Sequence, residues 1–157
     1  MENKFIHYNQ NEKKEENMDK QKLIDGLNED LSKELGAAIR YMYQTAVAEG
    51  FNGEELREIL RPDISEEMAH ATYLMDKIVA LGGKPTTRAV DFEKHTDVKK
   101  MLEYDLKMER EDIENYKKRV EQADAVGEVG LKVKLEDIIA EETDHAEQIE
   151  RILRGIK

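Results

Sequence analysis

The chain contains no cysteine. Disulfides, iron–sulfur clusters, rubredoxin-type sites and thiol catalysis are therefore excluded, and any bound metal has to be held by carboxylates and imidazoles. Proline is nearly absent, at 2 of 157 residues, and glycine numbers 9. No alternating β-branched stretch is long enough for a convincing strand, so an all-α fold is expected. No run reaches about eighteen apolar residues, so no membrane partner is expected. The opening residues Glu2, Asn3 and Lys4 are polar and form no apolar leader, which predicts a cytoplasmic location. Bases are outnumbered, with 25 Lys and Arg against 36 Asp and Glu, a net charge of −11. That field repels polyanions, so nucleic acid is not expected as a partner, and it attracts cations.

What is present is helical periodicity. Residues 1–18 hold few large apolar side chains and the mixed run Glu12, Lys13, Lys14, Glu15, Glu16, so they are expected to form a flexible arm ahead of a bundle domain over 19–157. A first helix, α1, is predicted over 19–49, with Leu23, Leu27, Leu31, Ala38, Tyr41 and Thr45 on its inner face and a stop at Gly50 and Asn52-Gly53. A second, α2, is predicted over 54–81, with Pro62 bending it or restarting it. Helix α3 is predicted from Thr96 or Asp97 to Gln122, and α4 from a turn near 123–127 to Arg154. The connection over 83–96 can stretch about 46 Å, and a helix as long as α2 measures about 42 Å. One crossover can run the length of the molecule, which predicts a four-helix bundle of two antiparallel hairpins.

Sliding the sequence on itself by 75 positions superposes its halves. Leu27, Asp30, Leu31, Glu34 and Tyr41 fall on Leu102, Asp105, Leu106, Glu109 and Tyr116; Glu66, Glu67, His70 and Ala71 fall on Glu141, Glu142, His145 and Ala146. The hairpins are thus expected to be related by a pseudo-twofold. At about 100° per residue, Glu67 and His70 share a stripe with Leu74 and Ile78, and Glu34 shares one with Leu27, Ala38 and Tyr41. Four carboxylates, Glu34, Glu67, Glu109 and Glu142, are then directed into the core, which is very costly without positive charge. Two divalent ions balance them, and His70 and His145 offer one nitrogen to each, a donor set suited to iron or manganese.

At these residues the chain resembles the ferritin-like di-iron superfamily, whose pattern is one Glu from each of two helices and Glu-x-x-His from the other two. Within it, the segments Glu34-Leu35-Gly36-Ala37-Ala38-Ile39-Arg40-Tyr41, Glu67-Met68-Ala69-His70-Ala71 and Glu142-Thr143-Asp144-His145 are most similar to bacterioferritin, over about residues 23–154. The resemblance implies Glu34 and Glu109 as terminal ligands, Glu67 and Glu142 as bridges, His70 and His145 as one ligand to each of two irons per subunit, and Tyr41 beside the site. Three departures stand out. Pro62 occupies a position where bacterioferritins often carry an inner-surface His, Glu66 stands where Asp is common, and the sequence stops before the short fifth helix of 24-subunit shells. A short, mini-bacterioferritin-like form with a twelve-subunit shell is expected over a 24-mer.

The repeat also contrasts the outer faces. Leu35, Ile39, Met42 and Ala46 of α1 correspond to Arg110, Glu114, Lys117 and Glu121 of α3, and Met68, Met75 and Val79 correspond to Thr143, Glu150 and Arg154. The first hairpin alone has a second apolar stripe, so a twofold homo-oligomer contact through α1 and α2 is expected. Met68 lies well off the Glu67–His70 face. By resemblance it is a haem or related porphyrin ligand at the twofold interface, and otherwise it is an interface filler.

The expected function is iron storage or detoxification by a ferroxidase that oxidises Fe(II) to Fe(III) with O₂ or H₂O₂ at an intra-subunit di-iron site within an oligomeric shell. Two alternatives stand beside it. A rubrerythrin-like peroxide reductase needs an additional carboxylate ligand, for which Glu111 and Asp112 are available. A Dps-like protective shell needs iron between subunits and a basic arm, whereas this arm mixes four acids with three Lys. His7 and His95 are read as solvated rather than as ligands.

Overall fold

The computed structural model describes residues 2–156, and side chains over 14–156. Four helices follow one another: α1 Glu2–Val47, α2 Gly50–Ala80, α3 Val98–Ala125 and α4 Val129–Gly155. The described residues contain no strand. α1 packs on α2, α3 packs on α4, and the hairpins meet mainly along α1 and α3. This is the expected four-helix bundle with one long crossover.

Helix boundaries differ from the expectation in informative places. α1 begins at Glu2 rather than near Asp19. The segment expected as an arm has no glycine or proline, and its Lys and Glu residues favour helix and lose little rotamer freedom there. The α1–α2 reversal is made at Gly50, whose φ of +73° needs no Cβ, so Asn52 and Gly53 belong to α2 instead of ending α1. Gly53 is small for another reason: a Cβ there would lie 2.8 Å from the Ala48 carbonyl carbon. α2 runs through Pro62 without a restart. The Pro62 residue faces solvent, and buried Leu60 and Glu67 on either side tie both segments to the core. Asp97 caps α3 as expected, accepting the Lys100 N–H at 2.9 Å. Thr45, read as an inner-face residue, is only half-buried, and its hydroxyl donates to the Met42 carbonyl.

The crossover is bound to α1 along its length. Asn28 donates to the Lys84 carbonyl and accepts the Thr86 N–H, Ser32 donates to the Arg88 carbonyl, and the Val90 N–H donates to the Ser32 carbonyl. Gly36 lets it approach, because a Cβ there would meet Val90 Cγ2 at 2.5 Å. Further along, the Phe92 ring stacks at a tilt on Tyr43.

Two apolar clusters fill the bundle. One gathers Leu23, Leu27, Leu31, Leu74, Leu135 and Ile138, and the other Tyr41, Leu56, Leu60, Met101, Leu102 and Ile149. On every helix the acidic and histidine positions separate these clusters. A buried polar layer therefore crosses the molecule at mid-height.

Candidate metal centre

Each of the six residues singled out from the sequence is buried in that layer: Glu34, Glu67, His70, Glu109, Glu142 and His145. They come from all four helices because the inner stripe of each helix carries its polar positions at the same height. Their ligand atoms form two overlapping sets, Glu34, Glu67, His70 and Glu142, and Glu67, Glu109, Glu142 and His145, with the atoms of each set within 4.8 Å of one another. Glu67 and Glu142 belong to both. Glu111 and Asp112 belong to neither. Asp112 pairs with Lys33 at 2.9 Å, and Glu111 lies exposed near Lys107.

Pseudo-twofold symmetry governs the hydrogen bonds. The Tyr41 hydroxyl donates to Glu109 Oε1, and the Tyr116 hydroxyl donates to Glu34 Oε1. Tyr41 is thus beside the site, serving the carboxylate of the opposite hairpin. Each histidine offers Nδ1 to the centre. His70 Nδ1 lies 3.3 Å from Glu34 Oε2 and 3.2 Å from Glu142 Oε1, and His145 Nδ1 lies 3.2 Å from Glu142 Oε2. The outward nitrogens are held by half-exposed acids from the opposite hairpin: His70 Nε2 by Glu141 at 2.7 Å, and His145 Nε2 by Glu66 at 3.0 Å. A carboxylate on the far nitrogen fixes ring orientation and makes the near nitrogen a better donor to a metal.

Electrostatics argue that the centre is built for cations. Burial, reinforced by Glu142 and Glu34, pushes the Glu67 carboxyl well above its usual range. Glu109 rises for the same reason, with Glu142 its main repelling neighbour. Burial disfavours charge on His70, yet Glu142 and Glu34 outweigh it and raise the ring to about 11; His145, facing Glu142, Asp63 and Glu66, is raised to about 9. Burial also opposes ionisation of Glu142, but hydrogen bonds from His145 and His70 hold its carboxyl far below normal. Protons thus supply the positive charge that four clustered carboxylates require. Even so, Glu34 Oε2 and Glu67 Oε1 are buried without a hydrogen-bond partner. Inward-facing acceptors left unpaired in a dry layer are what a bound cation satisfies, so the donor set fits divalent metal.

Several contributors escaped the sequence reading. Beyond the carboxylates, Asp105 is buried and accepts from Arg40 Nε and Gln44 Nε2, each at 2.8 Å, while Asp30 accepts from Arg119 at 2.7 and 3.2 Å. The repeat had already paired Asp30 with Asp105 and Glu66 with Glu141, a signal that could have marked them. Met68 is 44% exposed on α2, away from the centre. His95 lies in the crossover beside Glu93 and the Tyr104 ring, far in sequence from either set, and the His7 side chain is outside the described residues.

Comparison with known proteins agrees with this geometry. A bacterial ferritin of Pseudomonas aeruginosa is 39% identical over 88 residues, covering 56% of this chain and 57% of that protein. This match thus spans little more than half of the relative's length. A bacterioferritin of Brucella melitensis biotype 1 is 31% identical over 130 residues, 82% of this chain and 81% of that one. Among solved structures, a ferritin-like, diiron-carboxylate protein from Bacillus anthracis superposes with a TM-score of 0.84 at 44% identity, over 86% of this chain and 97% of that one. The model of the ferritin-like domain matches residues 24–157. Spanning nearly the whole bundle, that match and the centre it encloses establish that the chain belongs to the ferritin family, as a ferritin-like domain.

Proposed function

We propose that the chain is a ferroxidase that stores or detoxifies iron, with Fe(II) as its substrate and Glu34, Glu67, His70, Glu109, Glu142 and His145 as the ligands. The observation that carries this reading is the overlap of two four-residue sets at Glu67 and Glu142, which suits two cations sharing both carboxylates. Glu34 with His70, and Glu109 with His145, then complete one iron each. The names of the Brucella and Bacillus proteins, a bacterioferritin and a diiron-carboxylate protein, support it.

The side chains do three things. Four carboxylates stabilise the ferric charge over the ferrous one. Tyr41 and Tyr116, whose buried hydroxyls are held well above their usual pKa, stay protonated and fix Glu109 and Glu34. Glu141 and Glu66 orient the two imidazoles. Two Fe(II) give up two electrons in all. One O₂ takes them with two protons and leaves as H₂O₂, or one H₂O₂ takes them with two protons and leaves as two waters.

We further infer a closed shell of identical chains built from twofold pairs through α1 and α2. Ile39, Met42, Met68 and Val79 are exposed on those helices, whereas Leu35 and Met75 are partly buried against the chain's own core. In that pair Met68 would lie at the twofold contact, and its thioether would hold a haem or related porphyrin there. Shell size is read by native mass, with about twelve copies expected.

Anaerobic calorimetry with Fe(II) tests the central reading. About two ions should bind per chain, and air should then produce a ferric absorbance that outlasts gel filtration. Absence of stoichiometric Fe(II) binding would overturn it.

A further inference from the structure

The repeat that makes the ligands symmetric does not extend to the buried arginines. Under the offset of 75, Arg40 falls on Asn115, and Arg119 falls on Gln44. Each arginine binds the aspartate one turn before a terminal glutamate of the opposite hairpin, Asp105 before Glu109 and Asp30 before Glu34. Their reach beyond that aspartate differs. Arg40 extends to Glu109, with Nη2 3.5 Å from Glu109 Oε1, and its guanidinium lies 4.7 Å from the Tyr41 ring centroid. That Nη2 is buried and has no hydrogen-bond partner. Arg119 turns away from the centre, to Gln122 at 2.5 Å and Glu29 at 3.9 Å, and among the described residues no ion pair joins it to Glu34. Lys33, adjacent to Glu34 in sequence, gives its ammonium to Asp112. One half of the centre therefore has a fixed cation against its terminal carboxylate, and the other has none.

A guanidinium draws electron density from Glu109 and repels a metal ion held by it, and in a water-poor layer this acts with little screening. We propose that Arg40 is a positioning residue that makes the half-sites unequal, so that divalent cations fill the Glu34–His70 half before the Glu109–His145 half. The proposal rests on the reading of the six side chains as ligands. It concerns binding alone and involves no redox step.

Cobalt(II) tests it, since its visible spectrum and heat of binding follow occupancy without oxidation. Titration of the full chain should show two steps separated by about tenfold or more in Kd. Arg40→Gln should strengthen the second step by about tenfold and leave the first unmoved, whereas Arg40→Lys, which keeps the charge, should retain the gap. Asp105→Asn, which leaves Arg40 uncompensated, should weaken the second step. Order is assigned independently: the ion left in His145→Ala should bind more tightly than the ion left in His70→Ala. The proposal is overturned if Arg40→Gln matches the parent, if it shifts both steps alike, or if His70→Ala retains the tighter ion. Failure of the parent chain to bind cobalt at all would instead reject the ligand reading on which the proposal depends.

Discussion

The Tyr41 hydroxyl on α1 donates to Glu109 on α3, across the interface between the two hairpins. Tyr116 returns the same bond to Glu34, so each terminal carboxylate is fixed by a phenol of the other half. Tyr41→Phe leaves a buried carboxyl oxygen without its donor. The expected loss is about 1–3 kcal/mol in the metal-free protein, read as a lower Tm, together with slower ferrous oxidation.

Charge balance gives a second prediction. In the metal-free centre, His70 and His145, raised to about 11 and 9, carry their protons at pH 7, and the upward shifts of Glu67 and Glu109 favour their neutral forms. Two divalent ions with four ionised carboxylates and two neutral imidazoles sum to zero. Filling the centre at pH 7 should therefore release at least the two imidazole protons per chain. Calorimetry in buffers of different ionisation enthalpy measures this number, and a heat independent of buffer contradicts it.

The same shifts set the pH dependence of stability. His70 and His145 bind protons more tightly folded, at about 11 and 9, than in the unfolded chain, near 6.5. Their contribution is complete below pH 6.5 and is lost as pH rises through 9 and then 11. Glu67 and Glu109, also raised, add to that loss once the unfolded carboxyls ionise above about 4.5. Glu142, lowered, contributes in the opposite sense, and its share disappears only in acid. The Tm of metal-free protein should fall from pH 6.5 to 9, and metal-loaded protein should show a flatter profile over that range.

Shared and unshared carboxylates should respond differently to substitution. Glu67→Gln should weaken both cations, whereas Glu34→Gln should weaken mainly one, as separate steps in a cobalt titration resolve. Glu67→Leu removes a buried acid and should raise the Tm of the metal-free protein while abolishing tight binding, because the acid is retained for the metal and not for the fold.

On the outer face, Met42→Glu should prevent the α1–α2 pairing. Sedimentation should then report smaller species, with helix content by circular dichroism unchanged. If Met68 ligates a porphyrin, Met68→Leu should remove its visible bands without altering cobalt stoichiometry.

Much of this was legible in the sequence. The helical period placed Glu34, Glu67 and His70 on inner stripes, and the offset of 75 placed their counterparts Glu109, Glu142 and His145 at matching heights. The absence of cysteine left carboxylates and imidazoles as the candidate ligands for the buried centre. Helix α1 was foreseen only from Asp19, because an apolar stripe is visible to periodicity and a polar but helix-favouring stretch is not.

Tertiary structure alone decided the partners. That Tyr41 serves Glu109 and not its neighbour Glu34, that Glu141 and Glu66 hold the far nitrogens of His70 and His145, and that Arg40 reaches the centre while Arg119 does not, all depend on the register of one helix against another. Periodicity fixes the face on which a side chain stands because it follows from the geometry of a single helix. Its depth, and the atom it meets, come from how four helices interlock around a layer of charge, and that is a property of the packed bundle.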